Sequence, residues 1–181
     1  MLPGISTEQL RSRLNRMVAD GLLTRQRYRE VPPRVDYELT ERARDLMPVL
    51  GALGRWGHDW AWGNPRTGEA IDIGAIFRLA PGMLTPPRSA KGLVELTVSE
   101  RARDGESCTY SLEASGGQVR IYEPAKEHAN ARVTGREAEW VRALGPAADR
   151  SGLKMEGDER LAGLLLDGLT AAAERSASAV A

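Results

Sequence analysis

Cysteine is almost absent from this chain of 181 residues: Cys108 stands alone. A single thiol cannot close an internal disulfide, and it suits a reducing, cytoplasmic setting. Cys108 falls within an alternating strand pattern, which points to a buried structural thiol rather than a nucleophile. No apolar run approaches the roughly 20 residues a membrane span needs. The first residues show no basic stretch followed by an apolar one, so no signal peptide and no membrane partner are expected. Histidine is scarce as well. His58 and His128 lie far apart and lack cysteine partners, so no metal cluster is expected. His58 beside Asp59 reads as a surface pair. No phosphate-cradling loop occurs, because Gly116-Gly117 is a hairpin turn with no helix after it. Nothing marks a pair of carboxylates with divergent roles. These absences argue against an enzyme; no catalytic residue and no cofactor is expected. There is no repeat and no coiled-coil heptad run.

Net charge is also missing, at zero over the whole chain, but its distribution is uneven. Residues 1–34 hold Arg11, Arg13, Arg16, Arg25, Arg27, Arg29 and Arg34 against Glu8, Asp20 and Glu30, a net charge of +4, and the remainder carries −4. Such a segment suits a local polyanion contact. A solvated arginine-rich face accounts for the charge equally well.

What is present divides into two blocks. Residues 1–62 are arginine-rich and contain no lysine. Ser6 followed by Gln9 is a capping box. Leu10, Leu14, Met17 and Val18 then recur on one helical face, and Gly21 stops the helix. Glu8, Gln9, Ser12, Asn15 and Arg16 lie on the other face, flanked by Arg11 and Arg13. These side chains can reach base edges and phosphates. Two strands are predicted next, Leu23–Arg29 and Val35–Leu39. Arg25, Arg27 and Arg29 alternate, so they share one strand face. Pro32-Pro33 stiffens the hairpin tip. Thr40 caps a third element, Glu41 to about Trp60. A helix that reads the major groove beside a cationic two-stranded wing is one mechanical solution for DNA. A small α/β scaffold with no nucleic-acid role is the alternative.

The first block resembles the HxlR family of bacterial winged-helix regulators. The likeness runs from Leu2 to Gly57 and is carried by Leu2-Pro3-Gly4-Ile5-Ser6, by Asp20-Gly21-Leu22-Leu23, and above all by Val31-Pro32-Pro33-Arg34-Val35-Asp36-Tyr37-Glu38-Leu39-Thr40. Leu46, Pro48, Val49, Leu50, Leu53, Trp56 and Gly57 resemble the family's closing helix. The resemblance implies a dimeric DNA-binding regulator with Ser6–Asp20 as recognition helix and Arg25–Arg34 as wing. Arg11 and Ala43 depart from the family's usual serine and glycine. The family also has about two helices upstream, so the winged helix reads as shortened at its start. Either the true start lies upstream of Met1 or the remnant has been repurposed.

Residues 63–70 read as a linker. Beyond them, Ile71 to about Leu79 is predicted helical, ended by Pro81-Gly82. Leu93–Val98 is a strand, and Cys108–Glu113 with Gln118–Tyr122 form a hairpin across Ser115-Gly116-Gly117. Ala131–Val133 is a further strand. Thr134 and Glu137 make a capping box for a helix through Trp140, Val141 and Leu144, broken by Gly145-Pro146. After Leu153-Lys154-Met155, Asp158 caps a final helix bearing Leu161, Leu164, Leu165, Leu166 and Leu169. An antiparallel sheet with helices on one side, the Gly116-Gly117 turn, and Leu153–Asp158 with Leu161 resemble the sterol carrier protein type-2 fold. That resemblance implies an apolar cavity, with Phe77, Trp140, Leu161, Leu165 and Leu169 as lining candidates; plain core packing is the alternative for each.

The expectation is therefore an α+β chain: a partial winged helix at 1–62, a linker at 63–70, a sterol-carrier-like ligand domain at 71–175 and a frayed tail at 176–181. The expected function is a cytoplasmic DNA-binding transcriptional regulator controlled by a small hydrophobic effector. Its expected partners are double-stranded DNA, that ligand and a second copy of the chain. Gln9, Arg11, Ser12, Arg13, Asn15 and Arg16 are the helix contacts, and Arg25, Arg27, Arg29 and Arg34 the wing contacts. The alternative is a lipid or hydrophobic-ligand binding protein that has lost DNA binding.

Overall fold

The computed structural model describes residues 5–29, 32, 34–63, 71–99 and 105–170. The linker read at 63–70 thus lies outside the described residues except for Gly63, as do the frayed tail and the last five residues of the second domain. Two compact units divide at Met47/Pro48.

The first unit opens with α1, Thr7–Ala19. Its capping box forms as the sequence predicts: the Gln9 N–H donates to Ser6 Oγ at 3.2 Å and the Ser6 N–H to Gln9 Oε1 at 3.1 Å. Gly21 takes φ +70°, a conformation that favours glycine, and turns the chain out of the helix. Strands β1 (Leu23–Tyr28) and β2 (Arg34–Leu39) pair antiparallel from Leu23↔Leu39 to Tyr28↔Arg34. Thr40 ties the corner. Its hydroxyl donates to Gly21 O at 2.8 Å and accepts the Ala43 N–H at 3.2 Å, which caps α2, Glu41–Arg44.

The single helix expected over Glu41–Trp60 is two. After α2 the chain restarts as α3, Met47–Ala61. Pro48 is the reason. It has no N–H, and its ring would meet the carbonyl four residues back, so it is tolerated in the first turn of a new helix but not inside a continuing one. By its contacts α3 belongs, from Pro48 onward, to the second unit.

The second unit continues with α4 (Ile73–Met83), β3 (Gly92–Ser99), β4 (Cys108–Ser115), β5 (Gln118–Tyr122), β6 (Ala131–Arg136), α5 (Glu137–Leu144), β7 (Lys154–Gly157) and α6 (Glu159–Thr170). The sheet order is β5-β4-β3-β6-β7. Three of its four pairs are antiparallel, and the central strand β3 runs parallel to β6. The fold class is α+β. Strand alternation puts Val94, Leu96, Val98, Leu112, Ala114, Ala131 and Val133 on one face, where they join Phe77, Trp140, Leu165 and Leu169 of the helices in one apolar cluster. Phe77 sits edge-on to Trp140 at 5.0 Å and to Tyr110 at 5.5 Å. The indole N–H of Trp140 is satisfied by Thr97 O at 2.9 Å.

Three local expectations shift. Pro81-Gly82 does not end α4, which runs to Met83, because the carbonyls of Gly82 and Met83 are taken by Arg55 Nη1 at 3.3 and 3.1 Å. Thr134 caps nothing. It is paired with Thr97 in the β3–β6 ladder, and α5 starts two residues further on, where the Glu139 carboxylate accepts the Arg136 N–H at 2.8 Å. His58 is not at the surface: it is 6% exposed. Cys108 opens β4, partly buried against the core. Gly116 and Gly117, at φ +61° and +85°, form the expected tight hairpin turn.

Candidate functional site

In the first unit, α1 has no buried residue, and Leu10 and Met17 are more than a third exposed. The expected helix contacts Gln9, Arg11, Ser12, Arg13, Asn15 and Arg16 are all exposed, as are Arg25, Arg27, Arg29 and Arg34. A side-chain hydrogen bond joins helix to hairpin: Arg25 Nη1 donates to Asn15 Oδ1 at 3.2 Å. Arg11 and Ser12 lie one turn from Asn15 on the same helical stripe, and Arg27 lies two residues from Arg25 on the same strand face. Asn15, Arg25 and Arg27 therefore share one surface.

The register removes Arg34 from that surface. It pairs with Tyr28, not with Arg27, so it projects from the opposite face of the ribbon. Its guanidinium lies 5.6 Å from the Tyr28 ring centre and donates to both oxygens of Asp36 at 2.9 and 2.8 Å. Those hydrogen bonds raise the Arg34 pKa above its ordinary value. Two other candidates are partly committed: Gln9 closes the capping box, and Arg16 lies 3.8 Å from Asp20. Among the described residues Arg11, Arg13, Arg27 and Arg29 make no ion pair or side-chain hydrogen bond. They are the cations left to solvent or to a polyanion. Glu30, Val31 and Pro33 of the hairpin tip lie outside the described residues.

The five expected ligand-lining residues are packed in the core: Phe77, Trp140, Leu161, Leu165 and Leu169 are each no more than 6% exposed. Leu161 also lines a surface pocket of about 330 Å³ with Leu164, Lys91 and Arg160.

Helix α3 has two unlike faces. One face packs against the rest of the second unit. A Cβ at Gly51 would lie 2.1 Å from Gly82 O, so only glycine permits the approach of α3 to the end of α4. His58 Nε2 donates to Leu144 O at 2.9 Å, since a carbonyl oxygen can only accept. The opposite face is bare: Val49, Leu53, Trp56 and Trp60 are 59–76% exposed.

Comparison with known proteins agrees with the residue-level resemblance. Residues 1–64 match the HxlR-like helix-turn-helix family. The chain is 48% identical over 59 residues to an uncharacterized HTH-type transcriptional regulator of Synechocystis, covering 33% of this chain and 44% of that one. It is 38% identical over 68 residues to one of Methanothermobacter thermautotrophicus, covering 38% and 52%. The chain thus spans about half the length of the curated relatives it matches. Elsewhere the similarity is to sterol carrier protein structures: a domain from Helicoverpa armigera (15% identity, TM-score 0.45, covering 62% of this chain and 97% of that one). A palmitated SCP2L2 of Aedes aegypti follows, at 15% identity and TM-score 0.41, covering 56% and 95%. The match to that family is confined to the amino-terminal third of the chain, and the five-stranded sheet lies beyond it.

Proposed function

We propose that the chain is a DNA-binding transcriptional regulator. The observation that carries this reading is the Asn15–Arg25 hydrogen bond, which makes the outer stripe of α1 continuous with the arginine face of β1. On such a surface Arg11, Ser12 and Asn15 meet base edges, while Arg25, Arg27 and Arg29 meet phosphates of the adjoining backbone. Arg34 contributes less, because Asp36 already neutralises it.

The same reading gives α3 two tasks. Its inner face, Gly51, Arg55 and His58, transmits the state of the second unit, where a small hydrophobic effector binds. Such control requires the effector to prefer one arrangement of that unit over another. Its outer face pairs with a second copy. Val49, Leu53, Trp56 and Trp60 recur at spacings of four, three and four, the seam of a helix pair, and an exposed apolar stripe of this kind marks an interaction surface. Two copies would place two α1 helices on half-sites related by the dimer axis.

Fluorescence anisotropy against duplex DNA from the chain's own promoter region tests the proposal. Binding that survives unrelated competitor duplex supports it; binding lost to an equal mass of competitor, or absent, rejects it. One observation favours a second reading, a hydrophobic-ligand binding protein without DNA binding. Among the described residues of the first unit only Leu23 and Ala43 are buried hydrophobics, whereas the second unit has a full core. In that case ligand uptake persists and the anisotropy stays flat.

A further inference from the structure

The pocket at the start of α6 sets an apolar wall beside a charged one, a combination absent, among the described residues, from the core around the other lining candidates. Its apolar wall is Pro87, Leu161 and Leu164, and its polar wall is Lys91, Arg160 and Asp158. At about 330 Å³ it falls at the small end of the ligand-site range of roughly 300–1,000 Å³.

Its frame is fixed by backbone bonds. Asn130, just before β6, ties β3 to the cap of α6: its side-chain oxygen accepts the Leu93 N–H at 2.8 Å, its N–H donates to Leu93 O at 2.8 Å, and its carbonyl accepts the Asp158 N–H at 2.9 Å. Gly92 lets Leu161 close in, since a Cβ there would lie 2.7 Å from Leu161 Cδ2. The approach loop is pinned by the Ala90 N–H to Pro87 O at 2.9 Å.

The charges on this frame are not balanced. Asp158 is occupied, its Oδ1 accepting the Leu161 N–H at 3.0 Å as the cap of α6. That cap also satisfies the positive end of the helix, so the helix itself adds little attraction for an anion. Among the described residues Lys91 and Arg160 make no ion pair or side-chain hydrogen bond. Two uncommitted cations therefore stand over an apolar wall.

We propose that this pocket binds a small amphipathic organic anion, its apolar body against Leu161 and Leu164 and its carboxylate or sulfonate held by Lys91 and Arg160. The assignment rests on the effector reading above and names the chemistry of the effector. Leu161 belongs to both the pocket and the core, so an occupant touches α6 directly.

The test needs no DNA, so its failure and the failure of the regulator reading are separable. The full chain is titrated with 8-anilinonaphthalene-1-sulfonate, and the bound probe is displaced with dodecanoate and, separately, with dodecanol. Saturable binding is expected, with dodecanoate the better competitor. Lys91→Ala with Arg160→Ala should weaken probe and dodecanoate by about tenfold or more, the loss of two charge-assisted contacts. Both positions are exposed, so the double variant should keep its thermal midpoint, and a melt checks this. Leu164→Ala should weaken both anions while preserving their preference over dodecanol. Equal displacement by dodecanol, unchanged affinity in the double variant, or no saturable binding would each overturn the assignment. So would binding confined to phosphatidylglycerol vesicles with no uptake of monomeric dodecanoate, which would make the two cations a surface contact.

Discussion

The arginines of the first unit differ by what already holds them, and this sets how each responds to substitution. Arg27 has no protein partner among the described residues, whereas Arg34 donates to both oxygens of Asp36. Arg27→Ala should therefore weaken DNA binding on every sequence and flatten its salt dependence by roughly 0.9, the loss of one phosphate contact. Arg34→Ala should change both by much less; anisotropy titrations at several salt concentrations separate the two. In the second unit, Arg136 holds the Glu139 carboxyl below its ordinary range, first through side-chain hydrogen bonds and then through its backbone N–H. A carboxyl depressed in the folded state stabilises above its unfolded pKa, and that contribution is lost as pH falls through the lower, folded value. Glu139→Gln should make the thermal midpoint less sensitive to pH at and below the usual carboxylate range; an unchanged profile would remove the residue from this role. These pairings were partly legible. Arg34 and Asp36 stand two apart in a strand and so share a face, but which face Arg34 shares with Arg27 depends on the hairpin register, which no local signal fixes.

Among the elements, α3 joins packing to function. Gly51→Val would push a side chain into the carbonyl of Gly82, a backbone group with no cheap way to yield. Overpacking of this kind costs about 1–3 kcal/mol, read by chemical denaturation. Gly57→Ala is the control: nothing lies within 4 Å of that position, so the helix should hold or gain slightly. On the outer face, Leu53→Glu should shift the chain from dimer to monomer in sedimentation velocity without lowering its melting point. A monomeric parent chain would refute the pairing. Element starts and turns were legible in the sequence because they are local: Ser6, Thr40 and Asp158 cap as read, and Gly116-Gly117 turns as read. The break at Pro48 is local as well, but the apolar period that continues on both sides of it masks it in the sequence. The parallel β3–β6 pair was not legible, because it joins strands separated by a whole hairpin. The placement of Thr134 inside that pair follows from it and was hidden for the same reason.

At the scale of the molecule, the two units differ in how they are held. The second has an apolar cluster running from Ile73 to Leu169. In the first, the described buried hydrophobics are Leu23 and Ala43. Amide exchange should therefore be slow in β3, β4 and β6 and fast in α1, β1 and β2 when no DNA is bound, because few buried contacts oppose local opening. Duplex DNA should slow exchange in the first unit most. Counterion release tests whether β1 and the residue after it lay Arg25, Arg27 and Arg29 along a DNA backbone. The measurement is the salt dependence of the binding constant for the parent chain and for the variant carrying Arg25→Ala, Arg27→Ala and Arg29→Ala together. Three lost phosphate contacts predict a log–log slope shallower by roughly 2.7, at about 0.9 per contact. An unchanged slope would refute that placement and move the DNA contact off this face of the hairpin.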